Sequence, residues 1–215
     1  MISGSGTNLQ DIIDAVKLVR INAGISAVIS NRADAMGLQR AQRENINTAV
    51  VDQNEYPERI AYDEALIAEI DKYNPDLVVL AGFMRILSDK FISHYRDAIL
   101  NIHPSLLPEF KGLHTHRRVL ETSNQVHGAS VHFVNNELDS GPVVIQAQVP
   151  VLPDDTEETL GGRVLQQEHI IYPMAIEWFI EGRLQVNDNE VLLDNRVLHR
   201  PVLWKENQLT FSQQH

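Results

Sequence analysis

Short apolar runs alternate with longer amphipathic segments through the first hundred residues, and this pattern limits the folds open to the chain. The runs cover residues 25–30, 47–52 and 76–81, and the last is a continuous apolar stretch after Pro75. Continuous runs are typical of parallel strands buried on both faces. Segments with helical periodicity precede each run, over residues 8–20, 36–44 and 56–73. The alternation predicts an α/β fold with a doubly wound, mostly parallel sheet.

The residues before and after this pattern give further predictions. A sheet of this type opens with an apolar strand that leads into a glycine turn, yet only Met1 and Ile2 precede Ser3-Gly4. We therefore expect a truncated first strand, which would leave neighbouring backbone groups without their partners. After His103 the pattern predicts further elements, namely a loop over 106–117, strands over 127–134 and 142–149, a helix over 156–180 and a hairpin over 183–197 around residues 187–189. We expect one domain, 1–215.

Composition excludes several function classes. The chain has 18 Lys and Arg against 29 Asp and Glu, a formal net charge of −11, which argues against a nucleic-acid partner. It contains no cysteine, so thiol catalysis and disulfides are excluded. It shows neither a long apolar span nor a signal peptide, so we expect a soluble, cytoplasmic protein with no membrane partner.

A glycine turn opens the first predicted helix, in Gly4-Ser5-Gly6-Thr7-Asn8. Glycines allow a close backbone approach to an anion, and a helix N-terminus offers free N–H groups. The dinucleotide fingerprint needs a third glycine where Leu9 stands, so the pattern fits one phosphate better than a dinucleotide. An ordinary turn capped by Thr7 or Asn8 is the open alternative.

Three polar residues suggest acid–base chemistry. Asn101 and His103 end an apolar strand and, being two apart, share one face. An amide can donate a hydrogen bond, and an imidazole can move a proton near neutral pH. Asp139, in an acidic turn, could orient that imidazole. The alternative is a buried histidine whose ring binds a backbone carbonyl.

Other segments admit two interpretations. Residues 82–87 follow the clearest strand and could bind a flat heterocycle, or Phe83, Met84 and Leu87 could be core. His114 and His116, with His103 and His132, could suggest a metal site. Without cysteine or acidic ligands at suitable spacing, loop anchoring or substrate contact is favoured, and we predict no metal.

Taken together, these motifs resemble the folate-dependent formyltransferases along nearly the whole chain. The matching stretches, in order, are residues 4–10, 30–35, 80–87, 101–108, 112–116, 137–142 and 167–169. The resemblance implies a Rossmann-like fold whose N-terminal half binds the nucleotide phosphate and whose C-terminal half binds folate and carries the catalysis. It also implies transfer of the formyl group of 10-formyltetrahydrofolate to the amine of glycinamide ribonucleotide, a step of purine (IMP) biosynthesis.

The resemblance also assigns roles to residues. It implies that Asn101 and protonated His103 stabilise a tetrahedral oxyanion, while Asp139 orients His103 and favours its protonated form. It implies contacts to glycinamide ribonucleotide from Gly6, Thr7, Asn8, Gln166, Gln167 and Glu168. It implies contacts to the folate from Arg59, Met84, Arg85, Ile86, Leu87 and Asn101. A pair of Arg59 with Asp63 and a solvated Glu168 are the alternatives. We expect small-molecule substrates only, and a monomer or weak homodimer.

Relatives with the same three residues offer competing functions. Methionyl-tRNA formyltransferase carries an extra C-terminal domain, and this chain is expected to be too short and too acidic for it. Formyltetrahydrofolate deformylase uses water as acceptor and carries an N-terminal regulatory domain that we expect to be absent. A catalytically silent nucleotide- or folate-binding protein is a third alternative, which the presence of Asn101, His103 and Asp139 disfavours.

Overall fold

Helices and short strands alternate along the chain, as the apolar runs predict, and the α/β fold is confirmed. The structure is a computed structural model that describes residues 1–187, 189–205 and 207–211. The chain divides into two compact units, Met1–Leu100 and Asn101–His215. The single domain over 1–215 stays a prediction.

The first unit contains the three predicted strand–helix repeats. Strands β1 and β2 are parallel, with Val28 opposite Thr48. One helix, α4, was not predicted, and the Ser88 side chain caps it by accepting from the Phe91 N–H at 3.4 Å. The elements are α1 (Thr7–Lys17), β1 (Val28–Ser30), α2 (Met36–Arg43), β2 (Thr48–Val50), α3 (Arg59–Asp71), β3 (Val78–Leu80) and α4 (Asp89–His94).

Met1–Ser3 lie between β1 and β3 and form backbone hydrogen bonds on both sides. Ile2 forms a parallel bridge with Ser30 and is fully buried. Its N–H donates to the Ile29 carbonyl at 3.0 Å, and the Met1 carbonyl accepts from the Ala81 N–H at 2.9 Å. These few residues therefore supply backbone partners to strands on both sides.

The helices of the first unit bury one face each. In α1 the buried apolar residues Leu9, Ile12 and Ile13 have helical spacing. Helix α3 buries Tyr62, Leu66 and Ile70 at four-residue intervals. Helix α1 packs against α2, and α3 against α4.

The second unit is built on a mixed sheet with the strand order β11-β10-β6-β5-β4. Strands β5 and β6 are antiparallel, β10 is parallel to β6, and β11 is antiparallel to β10. Strand β4 starts at the end of the first unit and carries Asn101 and His103 into the second. The strands are β4 (Ile99–His103), β5 (Val126–Phe133), β6 (Val143–Pro150), β10 (Val202–Lys205) and β11 (Gln208–Thr210).

A long helix covers this sheet. Helix α6 (Glu157–Ile180) begins at a capping box in which the Thr156 and Thr159 side chains each bind the other's backbone N–H. It packs against β5 and β6 through buried residues that include Leu160, Val164 and Ile171. The predicted helix over 156–180 is confirmed.

The loop predicted over 106–117 is wrong at its end, where α5 (Thr115–Leu120) begins. The prolines and the glycine that indicated a loop all precede Thr115, which is buried, so nothing after it opposes a helix. The predicted hairpin is confirmed as β7 (Leu184–Asn187) and β8 (Glu190–Leu193), followed by β9 (Arg196–Val197). Asp188 of its predicted turn lies outside the described residues. Among the described helices, none has the length and apolar character needed to cross a membrane.

Candidate active site

Strand β4 places two polar side chains at its end. Its burial pattern shows Ile99, Leu100 and Ile102 in the core, while Asn101 is half-buried. His103, two residues after Asn101, has a side chain only 8% exposed. The sheet therefore fixes both groups in a largely dry environment, where hydrogen bonds and charges act more strongly than in water.

The His103 ring lies between two acceptors. Its Nδ1 is 3.5 Å from Asp139 Oδ2, and its Nε2 is 3.0 Å from the Phe110 carbonyl oxygen. A carbonyl can only accept, so Nε2 carries a hydrogen. Only the doubly protonated ring can donate to both groups. The backbone-carbonyl alternative thus holds for one ring nitrogen, and the acidic partner occupies the other side.

Asp139 is held on its turn by backbone geometry and by a second donor. Its φ of 47° lies in the left-handed region, which aspartate tolerates better than most residues. Its Oδ2 accepts from the Gly112 N–H at 2.8 Å, and its side chain is 10% exposed. His103 and Asp139 are thus adjacent, and Asn101 precedes His103 by two residues on β4, all within the second unit.

A fourth residue, His132 of β5, contacts Asn101. The Asn101 Nδ2 is 3.0 Å from His132 Nε2, and His132 Nδ1 is 2.8 Å from the Phe133 carbonyl oxygen. Burial lowers the pKa of His132 to about 4, so the ring is neutral at pH 7. The sequence indicated His132 only as a metal ligand. Its place near the end of the strand predicted over 127–134 gave no sign of this contact, because the sequence does not show which strand lies beside it.

The segment that supplies the Phe110 carbonyl is tied to the sheet. Ser130 Oγ accepts from the Leu107 N–H at 3.0 Å and donates to the Ser105 carbonyl at 2.6 Å. Gln146 Nε2 donates to the Leu107 carbonyl at 2.8 Å. Side chains of β5 and β6 therefore set the position of the chain that follows His103.

His116 is half-buried and pairs with the buried His127. Its Nδ1 is 3.1 Å from His127 Nε2. Burial lowers the pKa of both rings, that of His127 to about 4, so both are neutral at pH 7. A Cβ on Gly161 of α6 would lie 3.2 Å from the His116 ring, so this residue of α5 packs closely on α6. Within residues 1–187, 189–205 and 207–211, no group of three or more His, Cys, Asp or Glu is arranged to hold a metal ion.

The glycine turn of the first unit has the form of an anion-binding loop. Gly6 has φ 67° and precedes α1, and a Cβ there would lie 2.7 Å from Gly37 Cα, so only glycine fits. Arg40 Nε donates to the Ser5 carbonyl at 2.8 Å, which brings a cation beside the turn. The first N–H groups of an 11-residue helix and this guanidinium can together favour an anion.

The segment after β3 divides between core and surface. Phe83 and Leu87 are buried, as the core-packing alternative predicts. Met84 and Ile86 are 70% and 59% exposed, so that alternative is wrong for Met84. The Met84 N–H donates to Ser3 Oγ at 2.8 Å, which fixes the backbone while leaving the side chain outside. An exposed apolar pair on an ordered backbone can cover a flat ligand.

The two predicted arginines order the same segment. Arg59 Nη2 donates to the Leu87 carbonyl, while Asp63 Oδ2 accepts from the Ser88 N–H at 2.6 Å. The Arg85 guanidinium lies 4.3 Å from the centre of the Tyr62 ring. Its Nη1 donates to Gln53 Oε1 at 2.8 Å. Contacts within the protein therefore hold both guanidinium groups in place.

Gln166, Gln167 and Glu168 lie on α6 in the second unit. Glu168 is only 7% exposed, so the interpretation of a solvated helix-face carboxylate is wrong. Gln166 is exposed and Gln167 is half-buried. Glutamate side chains are rarely buried, so the burial of Glu168 makes it a candidate for a specific role.

Comparison with known proteins identifies the family. Residues 1–176 match the family model described as Formyl transferase. The chain is 54% identical over 198 residues to a phosphoribosylglycinamide formyltransferase of Escherichia coli (strain K12), which covers 92% of this chain and 93% of that protein. The human trifunctional purine biosynthetic protein adenosine-3 is 43% identical over 189 residues, or 88% of this chain and 19% of that protein.

A solved structure extends the similarity to the fold. The phosphoribosylglycinamide formyltransferase of Coxiella burnetii superposes with a TM-score of 0.88 at 50% identity, covering 92% of each chain. The family match covers most of the chain, and this identity and this superposition lead to the same family. The chain is therefore a member of the formyl transferase family.

Proposed function

We propose that this chain transfers the formyl group of 10-formyltetrahydrofolate to the amine of glycinamide ribonucleotide, a step of purine biosynthesis. Two of the relatives named above are called phosphoribosylglycinamide formyltransferases, and the family is that of formyl transferases. The observation that supports it most strongly is the cluster in the second unit, with His103 Nδ1 3.5 Å from Asp139 Oδ2 and Asn101 on the same strand.

The chemistry needs stabilisation of negative charge on the formyl oxygen. As the substrate amine attacks the formyl carbon, charge develops on that oxygen. Asn101 can donate an Nδ2–H to it, and protonated His103 can donate an N–H. Fixed donors in a dry site need little rearrangement as the charge forms, which is why they lower the barrier.

Asp139 determines which nitrogen of His103 can donate a proton to the substrate. Because the carboxylate faces Nδ1, the proton offered to the substrate lies on Nε2. In the structure that nitrogen donates to the Phe110 carbonyl at 3.0 Å. A substrate oxygen would replace this carbonyl as partner. The proton lost by the amine must reach the leaving nitrogen of the folate, and His103, directly or through water, is the group able to carry it.

Binding of the ribonucleotide is assigned to the glycine turn and to α6. We propose that Gly6, Thr7 and Asn8 hold the phosphate, since the turn offers helix N–H groups beside Arg40. Gln166, Gln167 and Glu168 are proposed to bind the sugar. A carboxylate such as Glu168 accepts hydrogen bonds from neighbouring hydroxyls.

Binding of the folate is assigned to the segment after β3. The exposed side chains of Met84 and Ile86 suit the face of a pterin, and the backbone of 84–87 can bind its edge. Arg59 and Arg85, with Leu87, hold that backbone in place. Asn101 completes the set by contacting the formyl group. Side chains and backbone groups of this chain fill all the proposed roles, so the proposal includes no metal. The proposed location is the cytoplasm.

The test is an assay of the purified chain with glycinamide ribonucleotide and 10-formyltetrahydrofolate, with circular dichroism on the same sample. Formylated ribonucleotide that depends on both substrates is the expected result. Formate released without the ribonucleotide would replace the proposal with a deformylase. Ligand binding by a folded protein without turnover would replace it with a silent binding protein.

A further inference from the structure

We propose that His132 is a positioning residue for Asn101, holding its amide with the nitrogen turned so that one Nδ2–H remains for the formyl oxygen. This inference rests on the proposed function. The contact that carries it is the 3.0 Å approach of His132 Nε2 to Asn101 Nδ2. His132 is 2% exposed on β5, so the contact is made inside the sheet.

The protonation of the ring follows from its other nitrogen. His132 Nδ1 is 2.8 Å from the Phe133 carbonyl oxygen, which can only accept, so Nδ1 carries a hydrogen. The ring is neutral at pH 7 because burial lowers its pKa to about 4. A neutral imidazole has one N–H, hence Nε2 carries a lone pair and must accept.

This lone pair determines the orientation of the Asn101 amide. A flipped amide would turn its carbonyl oxygen towards Nε2, where two acceptors would oppose each other. The orientation with Nδ2 towards His132 is therefore favoured. The amide nitrogen carries two hydrogens and His132 accepts one, so the other is the donor for the substrate.

The surroundings keep His132 in this state. Asp139 Oδ1 lies 3.9 Å from His132 Nε2 and favours a positive ring, while the positive charge of protonated His103 opposes it. Burial is the largest influence and favours the neutral ring. His132 is thus distinct from His103, whose two nitrogens both face acceptors.

Two polar substitutions separate this role from simple packing. In His132→Gln the side-chain oxygen can occupy the place of Nε2 and accept from Asn101. In His132→Asn the shorter amide can reach the Phe133 carbonyl only. We expect His132→Gln to keep kcat within about three-fold and His132→Asn to lower it about ten-fold or more, bounded by the roughly 10²–10³ that one oxyanion donor supplies. Equal kcat values for the two folded variants would overturn the proposal.

A double-mutant cycle tests whether His132 acts through Asn101. In an Asn101→Ala background there is no amide to position, so His132→Asn should cause little further loss of kcat. A loss as large as in the parent protein would show that His132 acts by another route and would overturn the proposal.

The protonation of the two His132 ring nitrogens can be measured without turnover. ¹⁵N NMR of the histidine side chains, with His132 assigned by its loss in His132→Gln, should show hydrogen on Nδ1 and none on Nε2 at pH 7. Hydrogen on Nε2 would overturn the inference even in an active enzyme. If the expected tautomer is found in a protein that forms no product, the proposed function fails and the geometry at His132 stands.

Discussion

Two histidines in the second unit differ in what surrounds their rings, and this difference decides what each can do. His103 has a carboxylate on one nitrogen and a carbonyl on the other, so a proton on each is satisfied. His132 has a carbonyl on one nitrogen and an amide N–H on the other, so it is satisfied only when neutral. One residue type thus serves as proton donor and as acceptor within the same cluster.

Replacement of His103 tests its part in the reaction. His103→Ala removes the proposed charge-stabilising proton donor and should lower kcat by roughly 10²–10⁴, the usual contribution of a general acid or base. Binding of glycinamide ribonucleotide, measured by calorimetry, should change little. The matched control is His199→Ala, which removes an exposed histidine. Turnover close to that of the control would remove His103 from the mechanism.

Replacement of Asp139 tests its influence on His103. Asp139→Asn keeps the side-chain shape and tolerates the positive φ, but removes the charge. We expect kcat to fall by up to about 10²-fold, a part of what acid–base catalysis supplies. A kcat equal to that of the exposed control Asp154→Asn would contradict this role.

We expect the protein to lose stability in acid because of the His116–His127 pair. Burial lowers the pKa of His127 from 6.5 to about 4, so between these values the unfolded chain binds the extra proton. The free energy of unfolding should therefore fall as pH drops through this range, by up to about 3 kcal/mol for this group. Urea unfolding at pH 7 and pH 5 should show a smaller difference for His127→Gln than for the parent. His199→Gln, at an exposed site, should keep the parental difference.

At the scale of elements, α6 shows how one helix combines stability with site formation. Its capping box and its buried stripe from Leu160 to Ile171 hold it on β5 and β6. The same packing places Glu168 among buried residues. Close to its start, Gly161 lets the His116 ring approach the helix backbone.

Two adjacent glycines of α6 give a matched test of this packing. Gly162→Ala meets no atom within 4 Å and should raise the free energy of unfolding by about 0.5–1 kcal/mol, the helix-propensity difference. Gly161→Ala gains the same propensity but places its Cβ 3.2 Å from the His116 ring, which must shift. We therefore expect a smaller gain or a loss in thermal or urea unfolding. An equal gain at both sites would mean that the His116 contact is loose.

At the scale of the whole molecule, charge is the property that bears on partners. A formal net charge of −11 repels polyanions, so the chain should not bind tRNA, even at low salt where such binding is strongest. A mobility-shift titration at low ionic strength checks this, with the same titration at high salt as control. Salt-sensitive binding in the micromolar range would contradict this expectation and would make tRNA a candidate substrate again.

Local patterns were sufficient for much of the architecture. The strand–helix alternation, the helix over 156–180 and the shared face of Asn101 and His103 depend on spacing along the chain, so they could be predicted. Helices α4 and α5 were missed because each has six residues, too few for a clear periodic signal. The burial of Glu168 was missed because a single carboxylate on a helix carries no sign of what packs over it.

The sequence alone determined which chemical groups the site contains and the order in which they follow along the chain. Only the tertiary structure decided their partners. The contact of His132 with Asn101 and the approach of Asp139 to His103 both join residues that are far apart in sequence. Such contacts depend on which strands pair and in which register, and on where loops are anchored. These properties result from the packing of the whole unit, because no local segment contains both partners.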